Sequence, residues 1–411
     1  MLLRFKFSNY RCYAQNVEFD MVAKSIKEHK ESLIDNNGVN ILPVAAVYGA
    51  NASGKSSFFM AFQRMRSVIV DRFIAREHNS EMKPLAFNSP FMFDKNLVNS
   101  PSSYEVSVAI GINEYRYGFT CTKDTILEEH LYKKRFSKKK TIEKKVFLRE
   151  GKKISSDKNN KKTQEEIDYC FSMATEKILL LSDIGLRGKE AEICSVFLWF
   201  LTSEVVMNYE QDSFFTSRVC ERFVGEVLSR KESDEVTERW ISFIKEIDPS
   251  ISDIKTFTET DSEGNNVSVA KTIHYYNGEE FPVRLNVESD GTNKILFISL
   301  LLFITLANGG AIFVDELDSK MHPLVLRKIV QMFADRDVNT KGAQLIFSAH
   351  NIINLDSSDL RRDEIWFVEK DNHKSSLRSL INIDIDDKNV RSDMNYGKNY
   401  LLGRFVAVPF K

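Results

Sequence analysis

The sequence predicts an α/β fold in which a mixed sheet is flanked by helices, extended by an antiparallel β-meander and interrupted by a helical insertion. Three observations predict it. A buried β-like run over residues 41–48 leads into a glycine-rich loop and then into a helical pattern. Short alternating runs between residues 103 and 149 indicate antiparallel strands. Residues 163–247 contain few glycines, no proline and several apolar runs, which is typical of helices.

The composition is that of a chain with a large core and no strong overall charge. The 411 residues suit one large domain or two to three smaller ones, and 43% of them are hydrophobic. A formal net charge of −1 excludes a protein that binds polyanions through its overall charge. The five cysteines have no C-x-x-C spacing, which favours reduced thiols in a cytoplasmic protein and argues against a zinc site.

The N-terminal segment is predicted to be a strand. Leu3, Phe5 and Phe7 alternate with basic residues, so we expect all three on one face. After the glycine-rich loop, a helix is predicted from Ser56 to about Val70. The predicted helix directly follows the glycine-rich loop, and the predicted strand lies in the same N-terminal part of the chain.

The second half of the chain alternates strands with one long apolar helix. Strands are predicted near 267–276, 280–287, 311–315, 344–348 and 364–369. The helix should run from about Asp290 to Ala307 and end at Gly309 and Gly310. Its apolar run is shorter than the ~20 residues of a membrane span, so we expect a buried core helix and no membrane contact.

The glycine-rich loop, Gly49–Ser56, matches the phosphate-binding pattern G-x-x-x-x-G-K-[ST] without substitution. In such loops the backbone N–H groups meet phosphate oxygens at a helix N-terminus. Gly49 and Gly54 let the backbone come close, Lys55 reaches the terminal phosphates, and the Ser56 hydroxyl binds Mg²⁺. A chance match is the alternative, but the strand before the loop and the helix after it argue against one. The residues predicted to bind the nucleotide here are Gly49, Asn51, Ser53, Gly54, Lys55, Ser56 and Ser57.

Two carboxylates and one histidine supply the remaining groups for cleaving a terminal phosphate. Asp315 ends an apolar strand and should hold Mg²⁺ through water. Glu316 should polarise the attacking water. His350 ends another β-like run 34 residues after Glu316, where a γ-phosphate sensor is expected. The alternatives are an acidic turn and an ordinary surface histidine; with Lys55 upstream, we predict an ATPase in which Lys55, Glu316 and His350 are catalytic and ATP and Mg²⁺ are bound.

Ser289 and Gly291 form a weaker motif before the long apolar helix. A serine and a glycine at a helix start either cap the helix or also bind an anion. Their position, about two dozen residues before Asp315, favours the anion site.

The order of these parts resembles the ABC-type ATPase heads of the SMC and RecF group, and within it the AAA-type ATP-binding proteins of bacterial abortive-infection systems such as AbiL and RloA, relatives of the OLD nucleases. The matching segments are Phe7–Arg11, Val47–Ser56, Ser289–Thr292, Asp315–Asp318, Met321–Pro323, His350 and Tyr400–Phe405. The signature reads Ser-Asp-Gly-Thr rather than Ser-Gly-Gly-Gln or Ser-Gly-Gly-Glu, and no long coiled coil is present.

The resemblance implies a P-loop ABC-type head divided into an ATP-binding lobe (1–162), a helical insertion (163–250) and a second ATPase half (251–411). It also implies that Ser289 and Gly291 reach the ATP of another subunit, so a homodimer or higher homo-oligomer with ATP between its heads is expected. Only 61 residues follow His350, too few for the nuclease domain of OLD proteins, so any nuclease or toxin should be a separate chain.

These features are consistent with two functions. The first is an ATP-hydrolysing regulator that gates a separate toprim-like nuclease or toxin in phage defence. The second is a DNA-maintenance ATPase, like RecF, that acts on DNA ends or gaps. A transporter subunit is a weaker third, because the chain lacks a standard signature and a membrane segment.

One segment is strongly basic. Residues 131–162 contain 14 Lys or Arg against 3 acidic residues. The segment over 133–162 is either a solvated hairpin or a surface for nucleic acid or an acidic partner.

Overall fold

The structure is a computed structural model that describes residues 1–77, 88–136, 141–156, 161–173, 176–188, 190–207, 217–229, 234–261, 264–385, 388–391 and 394–405. The strands are β1 (Leu2–Ser8), β2 (Val17–Asp20), β3 (Ile34–Asn36), β4 (Val39–Ile41), β5 (Val44–Gly49), β6 (Ser102–Ile110), β7 (Asn113–Cys121), β8 (Ile126–Arg135), β9 (Lys144–Glu150), β10 (Lys153–Ser156), β11 (Glu204–Val206), β12 (Asp253–Thr260), β13 (Asn266–Tyr276), β14 (Glu279–Arg284), β15 (Ala311–Val314), β16 (Gln344–Ser348), β17 (Ile365–Asp371), β18 (Lys374–Ser379), β19 (Asp384–Ile385) and β20 (Lys388–Asn389). The helices are α1 (Lys55–Glu77), α2 (Lys95–Val98), α3 (Lys161–Met173), α4 (Leu180–Arg187), α5 (Ala191–Thr202), α6 (Ser217–Leu228), α7 (Asp234–Ile247), α8 (Asp290–Asn308), α9 (Pro323–Ala334) and α10 (Tyr396–Leu401).

The predicted meander is part of an antiparallel sheet with the strand order β10-β9-β8-β7-β6-β1-β2. Strands β6 to β10 follow one another along the chain, which confirms the alternating pattern. The N-terminal strand β1 pairs with β6 and β2 and so joins the meander to the start of the chain.

A second sheet brings the sequence motifs together. Its order is β11-β15-β16-β5-β17-β18, and every neighbouring pair is parallel except β17 and β18. Strands β5, β15 and β16 of the parallel part are buried along their whole length, as strands covered by helices on each side are. The carboxyl ends of β5, β15 and β16 lie side by side at one edge, so the three motifs that follow them meet there. The predicted α/β class with a mixed sheet and an antiparallel meander is confirmed.

Helix α1 packs between the two sheets. Phe62 stacks on Phe313 of β15 with ring centroids 3.9 Å apart, and its ring also meets the edge of Phe5 in β1 at 5.4 Å. Phe58 contacts Phe5 and Phe19 on the same side. Burying these rings fixes the N-terminal end of α1, where the phosphate loop ends. The helix extends to Glu77, about two turns beyond the predicted end near Val70.

The predicted face of the N-terminal strand is wrong at one position. A register shift between Leu2 and Arg4 places Leu2, Phe5 and Phe7 in the core between the sheets. Leu3 lies instead in a small cluster on the other side, with Ile41, Ala109 and Phe136. A β-bulge reverses the alternation of side chains, so simple period-two reasoning fails across it.

The middle of the chain is not helical throughout, because β11 within it extends the parallel sheet next to β15. The following three-stranded sheet, β12-β13-β14, includes β12, which the sequence analysis did not predict. Helix α8 is confirmed as a core helix: it is long and apolar enough to cross a membrane by length and composition, yet ten of its residues are buried in the core. The boundaries at 162 and 250 stay predictions.

Candidate nucleotide-binding site

The phosphate loop has the backbone conformation that its two glycines permit. Gly54 has φ +118°, and a Cβ there would lie 2.7 Å from Ser375 Oγ and 2.9 Å from Cys12 Sγ. A Cβ on Gly49 would lie 2.4 Å from the backbone oxygen of Val368. Only glycine fits at either position without displacing the neighbouring chain. One side of the loop therefore packs closely against Val368, Ser375 and Cys12, and residues 51–56 line a groove.

Two contacts from distant segments hold this loop in place. Ser375 Oγ donates to the carbonyl of Ser53 at 2.6 Å, and Tyr13 Oη donates to the carbonyl of Gly54 at 3.1 Å. Ser53 Oγ is buried and has no hydrogen-bond partner within the described residues. An orphaned hydroxyl in a loop of this shape is suited to a ligand oxygen. Sequence reasoning missed Tyr13 and Ser375, because neither lies near the loop along the chain.

Lys55 begins α1 and is only 6% exposed. Its Nζ donates to the carbonyls of Gly49 at 2.8 Å and Ala50 at 3.2 Å, which holds the ammonium across the loop. Burial lowers the pKa of Lys55, while the negative charges of Asp315 and Glu316 act to raise it. A partly desolvated ammonium in this position is suited to terminal phosphates.

Ser348 joins the two adjacent carboxylate residues. Its hydroxyl donates to Asp315 Oδ1 at 2.5 Å and accepts from the backbone N–H of Glu316 at 2.7 Å. Asp315 is buried, and Glu316 takes the left-handed conformation with φ +53°. The reversal of the backbone turns the Glu316 side chain away from Asp315 and toward the groove. The role of Ser348 was not predicted, although it ends the strand that precedes His350.

His350 and Glu316 meet as expected for groups that act on one ligand. His350 Nε2 lies 3.5 Å from Glu316 Oε1, and both side chains are partly exposed, at 42% and 37%. The backbone of the histidine is anchored by Asp318, whose Oδ2 accepts from the N–H groups of His350 at 2.8 Å and Asn351 at 2.6 Å. Asp318 thus ties the loop after β15 to the loop after β16.

A groove of about 1200 Å³ gathers most of the predicted residues. Its predicted lining residues are Asn51, Ser53, Gly54, Lys55, Ser56, Ser57, Glu316 and His350. Gly49 and Asp315 are not among the lining residues: the Gly49 carbonyl accepts from Lys55 Nζ, and Asp315 Oδ1 accepts from the Ser348 hydroxyl. Its lining residues that the sequence analysis did not assign to the site include Arg11, Cys12, Ser89, Pro90, Met92, Phe93 and Lys370.

Ser289 and Gly291 are not in this groove. They line a separate cavity of about 610 Å³ together with Lys320 and His322. Ser289 caps α8 by accepting from the Thr292 N–H at 3.1 Å, so the capping role is observed. A Cβ on Gly291 would lie 3.2 Å from the Lys320 carbonyl, which makes glycine the best fit there.

A buried lysine links this second cavity to the carboxylates. Lys294 in α8 donates through Nζ to the carbonyls of Glu316 at 2.8 Å and Ser319 at 2.7 Å. The N-terminal end of α8 and the backbone of Glu316 are therefore mechanically connected. The sequence showed Lys294 only as a polar residue within an apolar helix.

The donor set suits magnesium in a nucleotide complex. Ser56 and Asp315 are the predicted ligands, and within the described residues no group of three or more His, Cys, Asp or Glu could hold a metal ion. Mg²⁺ commonly takes one or two protein ligands and completes its shell with phosphate oxygens and water. The residues present fit that mode of binding.

Residues 44–356 match the family described as "AAA domain, putative AbiEii toxin, Type IV TA system". The match covers more than half of the chain, from the strand before the phosphate loop to just beyond His350. The chain belongs to this AAA-domain family. The expected resemblance to an AAA-type ATPase is thereby confirmed at the family level, whereas the narrower likeness to AbiL and RloA stays a prediction.

Solved structures of SMC heads are similar to this AAA-domain chain. An SMC head bound to the C-winged helix domain of ScpA is 9% identical, with a TM-score of 0.45 over 92% of this chain and 97% of that one. The SMC head domain from Thermotoga maritima is 12% identical, with a TM-score of 0.42 over 92% and 98%. An SMC head bound to the C-terminal domain of ScpA from Pyrococcus furiosus is 10% identical, with a TM-score of 0.42 over 92% and 96%. No curated protein matches the chain.

Proposed function

We propose that the protein is a cytoplasmic ATPase that binds ATP with Mg²⁺, hydrolyses it, and thereby regulates a separate effector in a bacterial anti-phage system. The main support for ATPase activity is that Glu316 and His350 lie in one groove with the phosphate loop. A carboxylate beside a histidine, in the same groove as Lys55, supplies the groups needed to activate water against a terminal phosphate.

Each residue has one part in this reaction. The backbone of the phosphate loop and Lys55 bind and orient the phosphates, and Glu316 accepts the proton of the attacking water. His350 contacts the γ-phosphate and, through its own position, holds the Glu316 carboxylate. Ser56 and Asp315 are the residues that would hold Mg²⁺, whose charge stabilises the phosphate oxygens when it is bound.

Hydrolysis is proposed to need two copies of the chain. Ser289 and Gly291 lie at the N-terminus of α8 in a cavity of their own, away from the phosphate loop of the same chain. An N-terminus of a long helix favours anionic ligands. A second copy that placed this cavity over the groove would complete the site around ATP. Because Lys294 bonds to the Glu316 carbonyl, a shift of helix α8 on dimer formation would also move Glu316.

The effector role is supported by the family. Its description names a toxin and a toxin–antitoxin system, and we propose that the AAA-domain chain is the nucleotide-driven member that gates a nuclease or toxin on another chain. ATP binding and hydrolysis would then switch the contact with that effector. A polyanion surface on 133–162 is less favoured, because several of its basic groups are already neutralised.

The described part of that basic segment shows this neutralisation. Lys133 pairs with Glu192, and Lys134 lies 3.1 Å from Glu114. The buried Arg149 lies 3.9 Å from the buried carboxylate of Glu129. Lys138, Lys139 and Lys140, which belong to the same segment, lie outside the described residues. A DNA-maintenance ATPase, which needs a basic surface, therefore stays the second candidate.

Two measurements test the proposal. Purified wild-type protein should release phosphate from ATP in the presence of Mg²⁺, and Lys55→Ala should abolish both nucleotide binding and release. Co-expression of the chain with its genomic neighbours should protect cells against phage only when Lys55 is intact. Phosphate release by Lys55→Ala at the wild-type rate would refute the ATPase, and unchanged protection by Lys55→Ala would refute nucleotide-driven gating.

A further inference from the structure

Two exposed apolar side chains line the nucleotide groove. Met92 and Phe93 are 79% and 69% exposed, and both line the same groove as Lys55 and Ser56. No other described phenylalanine is as exposed as Phe93. Large apolar side chains left in solvent beside a binding groove commonly mark a ligand or partner contact. The mechanism proposed above uses neither residue.

The loop that carries Phe93 is held in a fixed shape. Asn9, which is nearly fully buried, accepts from the N–H of Phe91 at 3.0 Å and donates to the carbonyl of Leu97 at 2.8 Å. The N–H of Arg11 donates to the carbonyl of Ser89 at 2.7 Å. These bonds attach residues 88–101 to the turn after β1, so Phe93 projects from a supported backbone.

The Phe93 ring itself is supported from behind. It stacks on the His373 ring with centroids 4.3 Å apart and an interplanar angle of 13°, and it also contacts the buried Phe91 at 5.7 Å. His373 lies in the turn between β17 and β18, the hairpin whose Ser375 holds the phosphate loop. The β17–β18 hairpin therefore contacts both Phe93 and the phosphate loop.

The polarity of the groove orients a nucleotide within it. The phosphate loop, Lys55 and His350 form the part of the groove that would bind the phosphates. The base of the same nucleotide must therefore lie against other residues of the groove. Cys12 lies against the phosphate loop, since a Cβ on Gly54 would lie 2.9 Å from its Sγ, and Arg11, Met92 and Phe93 line the same groove. A planar base fits an exposed, backed aromatic ring because stacking needs only a flat apolar face.

We infer that Phe93, backed by His373 and flanked by Met92, is the platform on which the base of the bound nucleoside triphosphate stacks. This inference rests on the proposed function, since it assigns the part of the ATP site that holds the base. Stacking does not depend on the hydrogen-bonding groups of the base, so Phe93 should bind adenine and guanine with similar affinity.

The test separates the base from the phosphates. Calorimetry on the full chain in the Glu316→Gln background measures the affinity for ATP, GTP and inorganic tripolyphosphate, each with Mg²⁺. Phe93→Ala should weaken ATP and GTP by about 10-fold and leave tripolyphosphate unchanged, because only the nucleotides carry a base. Phe93→Trp should retain nucleotide affinity. Phe281→Ala, which removes an exposed phenylalanine of β14 outside the groove, is the matched control and should change nothing.

Each outcome is decisive. Equal ATP affinity of wild type and Phe93→Ala would overturn the platform and leave the ATP site unaffected. An equal loss for ATP and tripolyphosphate would overturn it as well, because Phe93 would then be acting on the phosphate loop. Failure of the wild-type chain to bind ATP would overturn the proposed function, and the platform with it.

Discussion

Replacing Glu316 by glutamine should remove hydrolysis without removing binding. The amide keeps the size of the side chain but cannot accept a proton from water, and loss of a general base typically costs about 10²- to 10⁴-fold in rate. That corresponds to about 3–5 kcal/mol in the barrier. The folded state should lose little, because the only described ion pair of Glu316 is the partly exposed one with His350, and exposed pairs contribute about 1 kcal/mol or less.

Single-turnover and steady-state phosphate release measure the rate, and calorimetry measures ATP affinity. Asp315 and Ser348 remain in place in this variant, so the predicted metal ligand is unaffected. Glu279→Gln, an exposed carboxylate at the start of β14, is the control and should hydrolyse ATP at the wild-type rate. If Glu316→Gln hydrolyses ATP as fast as the wild type, Glu316 is not the base and the reading of this groove is wrong.

Three further predictions follow from other parts of the fold. Mixing Lys55→Ala with Ser289→Arg subunits should restore about one working site per mixed dimer, and mixed dimers without recovered ATPase activity would contradict a shared site. Gly54→Ala should weaken ATP binding more than 10-fold in calorimetry and lower the unfolding temperature, because of the close contacts of its Cβ, whereas Gly111→Ala meets nothing within 4 Å and should still bind ATP. Burial raises the pKa of Glu364 from 4.5 to about 8, so the folded state keeps a proton that the unfolded chain releases, and stability should fall between about pH 4.5 and pH 8. Glu364→Gln should flatten that fall in thermal unfolding, and an unchanged slope would refute the assignment.

Much of the fold follows from local patterns in the sequence. The G-x-x-x-x-G-K-[ST] loop, the alternation in β6 and β7, and the Ser289 cap of α8 depend on residues a few positions apart. Local spacing determines backbone periodicity and capping, so these elements could be predicted without any knowledge of the neighbouring strands. Asp315, Glu316 and His350 could be predicted as well, since each ends an apolar run.

The tertiary structure decided what depends on contacts between distant segments. The pairing of β16 with β15 brings the Ser348 hydroxyl to the Asp315 carboxylate and the Glu316 N–H. No pattern in the sequence predicts these two hydrogen bonds. The bulge after Leu2 changed the face of Leu3, because the register of strand pairing is a property of two strands. The sequence by itself determined the chemical groups of this protein, and packing decided which of them share a groove: Phe93 joined the phosphate loop, and Ser289 did not.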